Sequence, residues 1–267
     1  MEGNLRIRIK FEKTGRMQYL GHLDELRVFE QALRRTRIDV ARTDGYTPRM
    51  ILSFASPLGI GKTSRAEYVD VDLWSLLPSE EILARLNREF PDGYRAVSAR
   101  MIPWYRAAKA MCASAYAAYE VAVPGGRDFE QELIDGYLAQ ERITVIKPDA
   151  DNRRIREVDI KPGIYSLRPA GPASLRMLLA AGSGDSIRPE LVLSSLASYA
   201  GDPDLFGEQF GDGKMRFPGV RIERSEIYAK ADPSRMEQVG SFDPADVVTA
   251  DDGETRMVPL WALGEKF

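Results

Sequence analysis

The chain has 267 residues, 44% of them hydrophobic and 29% charged, with a formal net charge of −3: enough for a sizeable core in one large domain or two ordinary ones. Its one cysteine, Cys112, excludes an intrachain disulfide, a four-cysteine zinc site and an iron–sulfur cluster held by this chain alone. No apolar run approaches the ~20 residues that cross a bilayer, and the first residues are charged where a secretory leader needs an apolar stretch. A soluble, cytoplasmic protein without a membrane partner is expected. Charge is unevenly spread: residues 1–65 hold 13 Lys/Arg against 7 Asp/Glu, whereas residues 239–267 hold 6 acids and 2 bases. That asymmetry fits a basic binding face and an acidic tail that shields it; a plain scatter of solvated charge is the alternative.

In chain order, Leu5–Phe11 alternates Leu5, Ile7, Ile9 and Phe11 with Arg6, Arg8 and Lys10, the period of a strand that turns its cations outward. Leu23, Leu26, Val28, Phe29, Ala32 and Leu33 then follow helical spacing from about His22 to Ile38, with Arg27, Arg34, Arg35 and Arg37 on the opposite face. Short strands at Asp39–Arg42 and Met50–Ser56 flank a DGYTPR turn punctuated by Gly45 and Pro48. Ala66–Leu73 alternates as a strand, and PSEEILARLNREF starts a helix at Pro78 and Ser79 with Glu80 and Glu81 in its first turn. Tyr94–Ile102 closes this half as a strand.

The second half repeats the grammar. Tyr116–Val123 is a strand, Asp128–Gln140 a helix and Ile143–Lys147 a strand. Arg156–Ile160 and Ile164–Pro169 flank a KPG turn, and Ser174–Leu179 pairs with them. Pro189–Ala197 is a helix and Val220–Tyr228 the closing strand. The order predicts an α+β protein of two tandem ferredoxin-like (βαββαβ) domains with antiparallel sheets, over residues 1–108 and 109–230, joined near Pro103–Ser114. Residues 231–267 form an acidic C-terminal extension that wraps the surface, with Leu260 and Trp261 as anchors.

Chemistry concentrates in Arg6–Leu73. His22 is the chain's only histidine, the one side chain whose ordinary pKa lies near neutrality, and it sits near Tyr19, Lys13 and Arg16. A base, a phenol and cations beside one phosphate suffice for 2′-OH attack, so His22 and Tyr19 are the candidate catalytic pair of an endoribonuclease. The plainer reading makes His22 a helix-start residue. GKTS at Gly61–Ser64 suggests a phosphate loop, but G-x-x-x-x-G-K-[ST] needs a glycine where Ser56 stands, and a strand follows instead of a helix. Phosphate contact without nucleotide hydrolysis remains open to that loop. Lys13, Arg16, Arg34, Arg35, Arg37, Arg49, Lys62 and Arg65 are the candidate RNA-binding cations, with Tyr46 in the turn as the stacking aromatic. Gly182, Ser183 and Gly184 before Pro189 form a weaker candidate anion site. The pattern offers no metal spacing, and no cofactor is expected.

The segments FEKTGRMQYLGHLDELRVFEQALRRTRI and DGYTPRMILSFASPLGIGKTSRAEYVDVDL resemble the radical SAM-linked protein family, also called DUF2344. REVDIKPGIYSL, GDSIRPELVLSSL and RIERSEIY are similar to its later pattern. The turn reads GYTPRM where the family commonly reads GFNPHP, so the loop histidine is absent. The resemblance implies a partner radical SAM protein that carries the cluster, in keeping with the single cysteine. The resemblance assigns no molecular activity of its own; taken with the basic block, it leads to the expectation of an accessory protein that binds or presents RNA, tRNA or rRNA, for modification. A metal-independent endoribonuclease and a protein-interaction adaptor are the alternatives. At the level of fold, the tandem layout also resembles RAMP-type RNA-processing proteins, which is analogy alone.

Overall fold

The computed structural model describes residues 5–102, 108–148, 155–182, 184–202, 205–206, 219–231, 242–265 and 267. Strand β1 (Leu5–Lys13) leads through a short 3-10 turn (Gly15–Tyr19) into helix α1 (His22–Thr36). Phe29, Ala32 and Leu33, at i, i+3 and i+4, form the buried stripe of α1, which ends at Arg37 in the left-handed region (φ 57°). Strand β2 (Leu52–Phe54), β3 (Thr63–Leu73), helix α2 (Ser79–Glu89) and β4 (Tyr94–Ile102) follow. The later half comprises α3 (Ala110–Ala113), β5 (Tyr116–Ala122), α4 (Gln131–Ala139), β6 (Thr144–Pro148), β7 (Ile155–Asp159), β8 (Ile164–Gly171), β9 (Ser174–Ala180), α5 (Pro189–Tyr199) and β10 (Arg221–Lys230). Two short strands, β11 (Val248–Thr249) and β12 (Arg256–Pro259), close the chain.

This is a mixed α+β fold dominated by one large, mostly antiparallel sheet. Its main path runs β4-β1-β3-β10-β5-β9-β8, with β2 on β3 and β12 on β10; β6 and β7 form a separate two-stranded ribbon. Within the first half the antiparallel order is β4-β1-β3-β2, and within the second it is β10-β5-β9-β8. The sequence pointed to a sheet for each half. The structure instead runs them together, because β10 pairs with β5 on one side and, in parallel, with β3 on the other, at Thr63–Glu223 and Ser64–Arg224. β2 and β10 thus flank different ends of β3.

Each half has its own core. Ile7, Ile9, Phe11, Val69 and Val71 pack on Phe29, Leu33, Ile82 and Leu86 of α1 and α2. Ala117, Val121, Leu175 and Met177 pack on Ile134, Tyr137, Val192 and Leu196 of α4 and α5. A third apolar layer covers Tyr68, Ala66, Ile227 and Ala229 with Ala110 and Ala113 of α3 and with Val258, Leu260, Ala262 and Leu263. The described part of the C-terminal extension therefore lies on the sheet, with Leu260 fully buried and Trp261 half-buried; residues 232–241 lie outside the described residues.

That covering layer corrects the picture of β1. Arg6, Arg8 and Lys10 do alternate with the core residues, but the face they share is closed over. Arg8 is buried and bidentate to Asp70 at 2.8 and 3.1 Å, and it donates to the Ala108 carbonyl at 3.0 Å. Arg6 meets Asp72 at 2.9 and 3.3 Å, and Lys10 meets Glu226 at 2.7 Å. An unpaired buried charge costs several kcal/mol, about enough to unfold a marginal domain, so each of these cations carries its own carboxylate.

Candidate nucleic-acid interface

The nine residues assigned from sequence to RNA separate into two groups. Lys13 is fully buried, donates to the Leu20 carbonyl at 2.9 Å and lies 3.6 Å from Glu25. Lys62 is buried against Glu190, at the first turn of α5. Arg65 reaches out of β3 to Glu120 of β5 at 2.8 Å and Glu223 of β10 at 2.5 Å. These three cations do not present free charge to a polyanion: Lys62 and Arg65 tie the two halves together, and Lys13 neutralises a carboxylate in the interior.

Arg16, Arg34, Arg35, Arg37, Arg49 and Tyr46 are exposed. Arg34 makes one loose pair with Glu30 at 4.0 Å. Arg16, Arg35, Arg37 and Arg49 have no ion pair among the described residues, and neither has Arg42, an exposed arginine that the sequence placed in a strand and did not assign to RNA. Folding gathers most of them at one edge. Helix α1 ends in Arg34 and Arg35, where cations also meet the negative end of the helix dipole, and Arg37 follows as its left-handed cap. The chain then runs alongside the end of β3: Val40 bridges to Leu73, and the Ala41 amide donates to the Asp72 carbonyl at 2.7 Å. From there a loop projects. Arg42 bridges to Met50 at its base, the Thr43 amide donates to the Arg49 carbonyl at 2.8 Å, and the Arg49 amide donates to Thr43 Oγ1 at 3.1 Å. Tyr46 stands fully exposed on that loop. Asp39 and Asp44 interrupt the cations, so the edge offers separate anion contacts in place of a continuous stripe.

The catalytic candidates assemble less well. His22 is exposed at the start of α1, its ring edge-on to Phe54 with centroids 5.4 Å apart, and among the described residues it has no hydrogen bond or ion pair. Tyr19 is exposed nearby, but the Lys13 ammonium points inward to Leu20 and Glu25. Among the described residues no third group orients the imidazole, as a partner does when it activates a general base.

A buried ionic cluster centres on Arg224, where β10 meets the first half. Arg224 of β10 donates to both carboxylate oxygens of Glu67, at 3.0 and 3.1 Å, and to the Ser56 carbonyl at 2.7 Å; its second terminal nitrogen donates to the Tyr119 hydroxyl at 3.4 Å. Burial pushes the Glu67 carboxyl up to about 6 in spite of Arg224. Burial likewise raises Glu25, which accepts from the Tyr94 hydroxyl at 3.1 Å, against the opposing pull of Lys13. These groups are buried, and the Arg224 contacts to Ser56 and Glu67 join β10 to the first half. A cavity of about 460 Å³ lies between the KPG turn and residues 184–187, but Asp159 and Asp185 line it and no Lys or Arg does, the wrong sign for phosphate. Of the weaker anion-site candidate, Ser183 lies outside the described residues. Among the described residues no group of three or more His, Cys, Asp and Glu is placed to hold a metal ion, and no helix is long and apolar enough to cross a membrane.

No curated protein matches the chain. Among solved structures, one described as the crystal structure of an unknown protein from Galdieria sulphuraria aligns with 83% of this chain and 98% of that one, at 11% identity and a TM-score of 0.26, a likeness too slight to carry an argument. The family described as "Uncharacterized protein conserved in bacteria (DUF2344)" matches residues 6–189, from β1 to the first residue of α5. That stretch contains the buried cations of β1, the arginine edge and the His22 turn, and on it the chain belongs to the DUF2344 family.

Proposed function

We propose that this protein is an RNA-binding accessory protein that presents tRNA or rRNA to a radical SAM enzyme for modification. The observation that carries the reading is the arginine edge: Arg35, Arg37, Arg42 and Arg49, exposed and without ion pairs among the described residues, around the fully exposed Tyr46. Other surface cations pair with carboxylates, as in Arg95–Glu12 and Arg127–Asp202, or stand singly, whereas here four arginines unpaired among the described residues lie within residues 35–49. The order β4-β1-β3-β2 and its counterpart β10-β5-β9-β8 support reading the halves as two ferredoxin-like units. The radical SAM partner rests on the sequence resemblance and on the single Cys112, which leaves a cluster to be held by another chain.

The reading is tested by fluorescence anisotropy with labelled tRNA and rRNA fragments at low and physiological salt. Three or four phosphate contacts give a log–log salt slope of about −2 to −4, and the Arg35→Ala/Arg37→Ala/Arg49→Ala variant flattens it and loses most of the affinity. Absence of RNA binding at low salt overturns the proposal.

A further inference from the structure

Trp74 is an exposed aromatic without a role assigned from sequence. It follows the last residue of β3 directly, and the indole is half exposed. Its amide donates to the Asp39 carbonyl at 2.9 Å, which pins it beside the chain leaving Arg37, while Leu73 bridges to Val40. Neither Trp74 nor Tyr46 belongs to any of the hydrophobic clusters of the fold. Tryptophan is usually well covered, so an indole left open beside unpaired arginines forgoes burial that the nearby core of α1 and β3 could have supplied.

We infer that the RNA taken at this edge is single-stranded, with unpaired bases stacking on Trp74 and Tyr46 while Arg35, Arg37, Arg42 and Arg49 hold the flanking phosphates. The inference rests on the RNA-binding reading and narrows it. A duplex hides its base faces and offers a protein mainly phosphates and 2′-hydroxyls; two exposed rings gain a flat partner only from bases already out of the helix. The placement of the charges agrees. Asp39 and Asp44 break the cationic surface into separate points, unlike the continuous stripe that follows a duplex backbone. A run of acidic side chains would satisfy the arginines but brings no aromatic face to stack on the two rings. The base of the site is also pre-formed, since backbone hydrogen bonds hold Trp74 to the Asp39 segment and close the base of the 43–49 loop that carries Tyr46.

The experiment titrates the full chain with three probes, a roughly 12-nucleotide oligoadenylate, its duplex with oligouridylate, and an oligoglutamate, by anisotropy and by tryptophan emission. The single strand is expected to bind at least about tenfold more tightly than the duplex and to quench emission, and the quench is expected to vanish in Trp74→Phe. Trp74→Ala is expected to cost about 5- to 100-fold in single-strand affinity, and Trp74→Phe to recover most of it. Circular dichroism confirms that these surface variants fold. Equal binding of duplex and single strand, or an unchanged affinity in Trp74→Ala while Arg35→Ala/Arg37→Ala abolishes binding, overturns the stacking inference and leaves the RNA reading standing. Preference for oligoglutamate, or no RNA bound at low salt, overturns both.

Discussion

A carboxylate keeps its charge inside a protein only where a cation or several hydrogen-bond donors offset its burial, and Glu67 meets Arg224 on both of its oxygens. The pairing does not fully offset burial, because Glu67 still titrates at about 6. Its pKa in the folded chain is thus raised above the ordinary 4.5, so the folded state binds the proton more tightly than the unfolded chain. The Glu67 contribution to stability is fully present below about pH 4.5 and is lost as pH rises through about 6, a change on the order of 2 kcal/mol. Chemical denaturation across that window is expected to show this slope, with Glu67→Gln flattening it; an unchanged slope in the variant would place the proton elsewhere. The same residues mark a limit of the sequence. Arg8 reads as a surface cation and Arg224 drew no reading at all, since alternation tells which residues share a face and not whether a later segment covers that face. Their carboxylates are far along the chain, 62 residues away for Arg8 and 157 for Arg224, and charge alone names no partner.

Among the elements, boundaries were largely legible. The β1 alternation, the α1 stripe, and the β4, β5 and β9 runs each begin where hydrophobic period predicts. The departures have local causes. Helix α1 stops at Thr36, before the expected Ile38, because Arg37 turns left-handed and Thr36 Oγ1 accepts from the Ile38 amide at 3.3 Å. Strand β3 begins at Thr63, earlier than the alternation suggests, because β10 gives Thr63 and Ser64 a partner that the local sequence does not contain. The arginine edge was half legible. Tyr46, Arg49 and the α1 arginines were found from turn chemistry and helical spacing, whereas Trp74 carried no signal beyond being an aromatic just past a strand. Arg37 is also a point where fold and proposed function pull apart. A side chain with a Cβ at φ 57° costs about 1 kcal/mol relative to glycine. Arg37→Gly is therefore expected to raise stability by about 0.5–1 kcal/mol in thermal or denaturant unfolding while weakening RNA binding. A variant that loses stability would show that Arg37 supports the fold through contacts of its own side chain.

For the molecule as a whole, the decisive strand is β10. It lies between β3 and β5, supplies Arg224 and Glu226 to the buried ion pairs, and receives β12 of the covering segment. Nothing in residues 221–230 announces a central position, because the strand reads as an ordinary closing strand of the second half. Removing it leaves the flanks of β3 and β5 open, with Glu67 without its cation and Lys10 without its carboxylate. A fragment of residues 1–220 is expected to self-associate in size-exclusion chromatography with light scattering. A monomeric fragment with native circular dichroism would show that the halves stand without their shared strand.

The placement of β10 also sets a timetable for the nascent chain. The strands β1, β2, β3 and β4 are complete once residue 102 is made, yet the Thr63 end of β3 must wait for residues 223 and 224. At ordinary rates of synthesis, about 5–20 residues per second, that is an interval on the order of ten seconds. Throughout it, Glu67 sits in a half-built protein without Arg224, and protonation or water must stand in for the missing guanidinium. The first half thus leaves the ribosome as an unsealed piece, and the last long strand to be translated is the one that locks it.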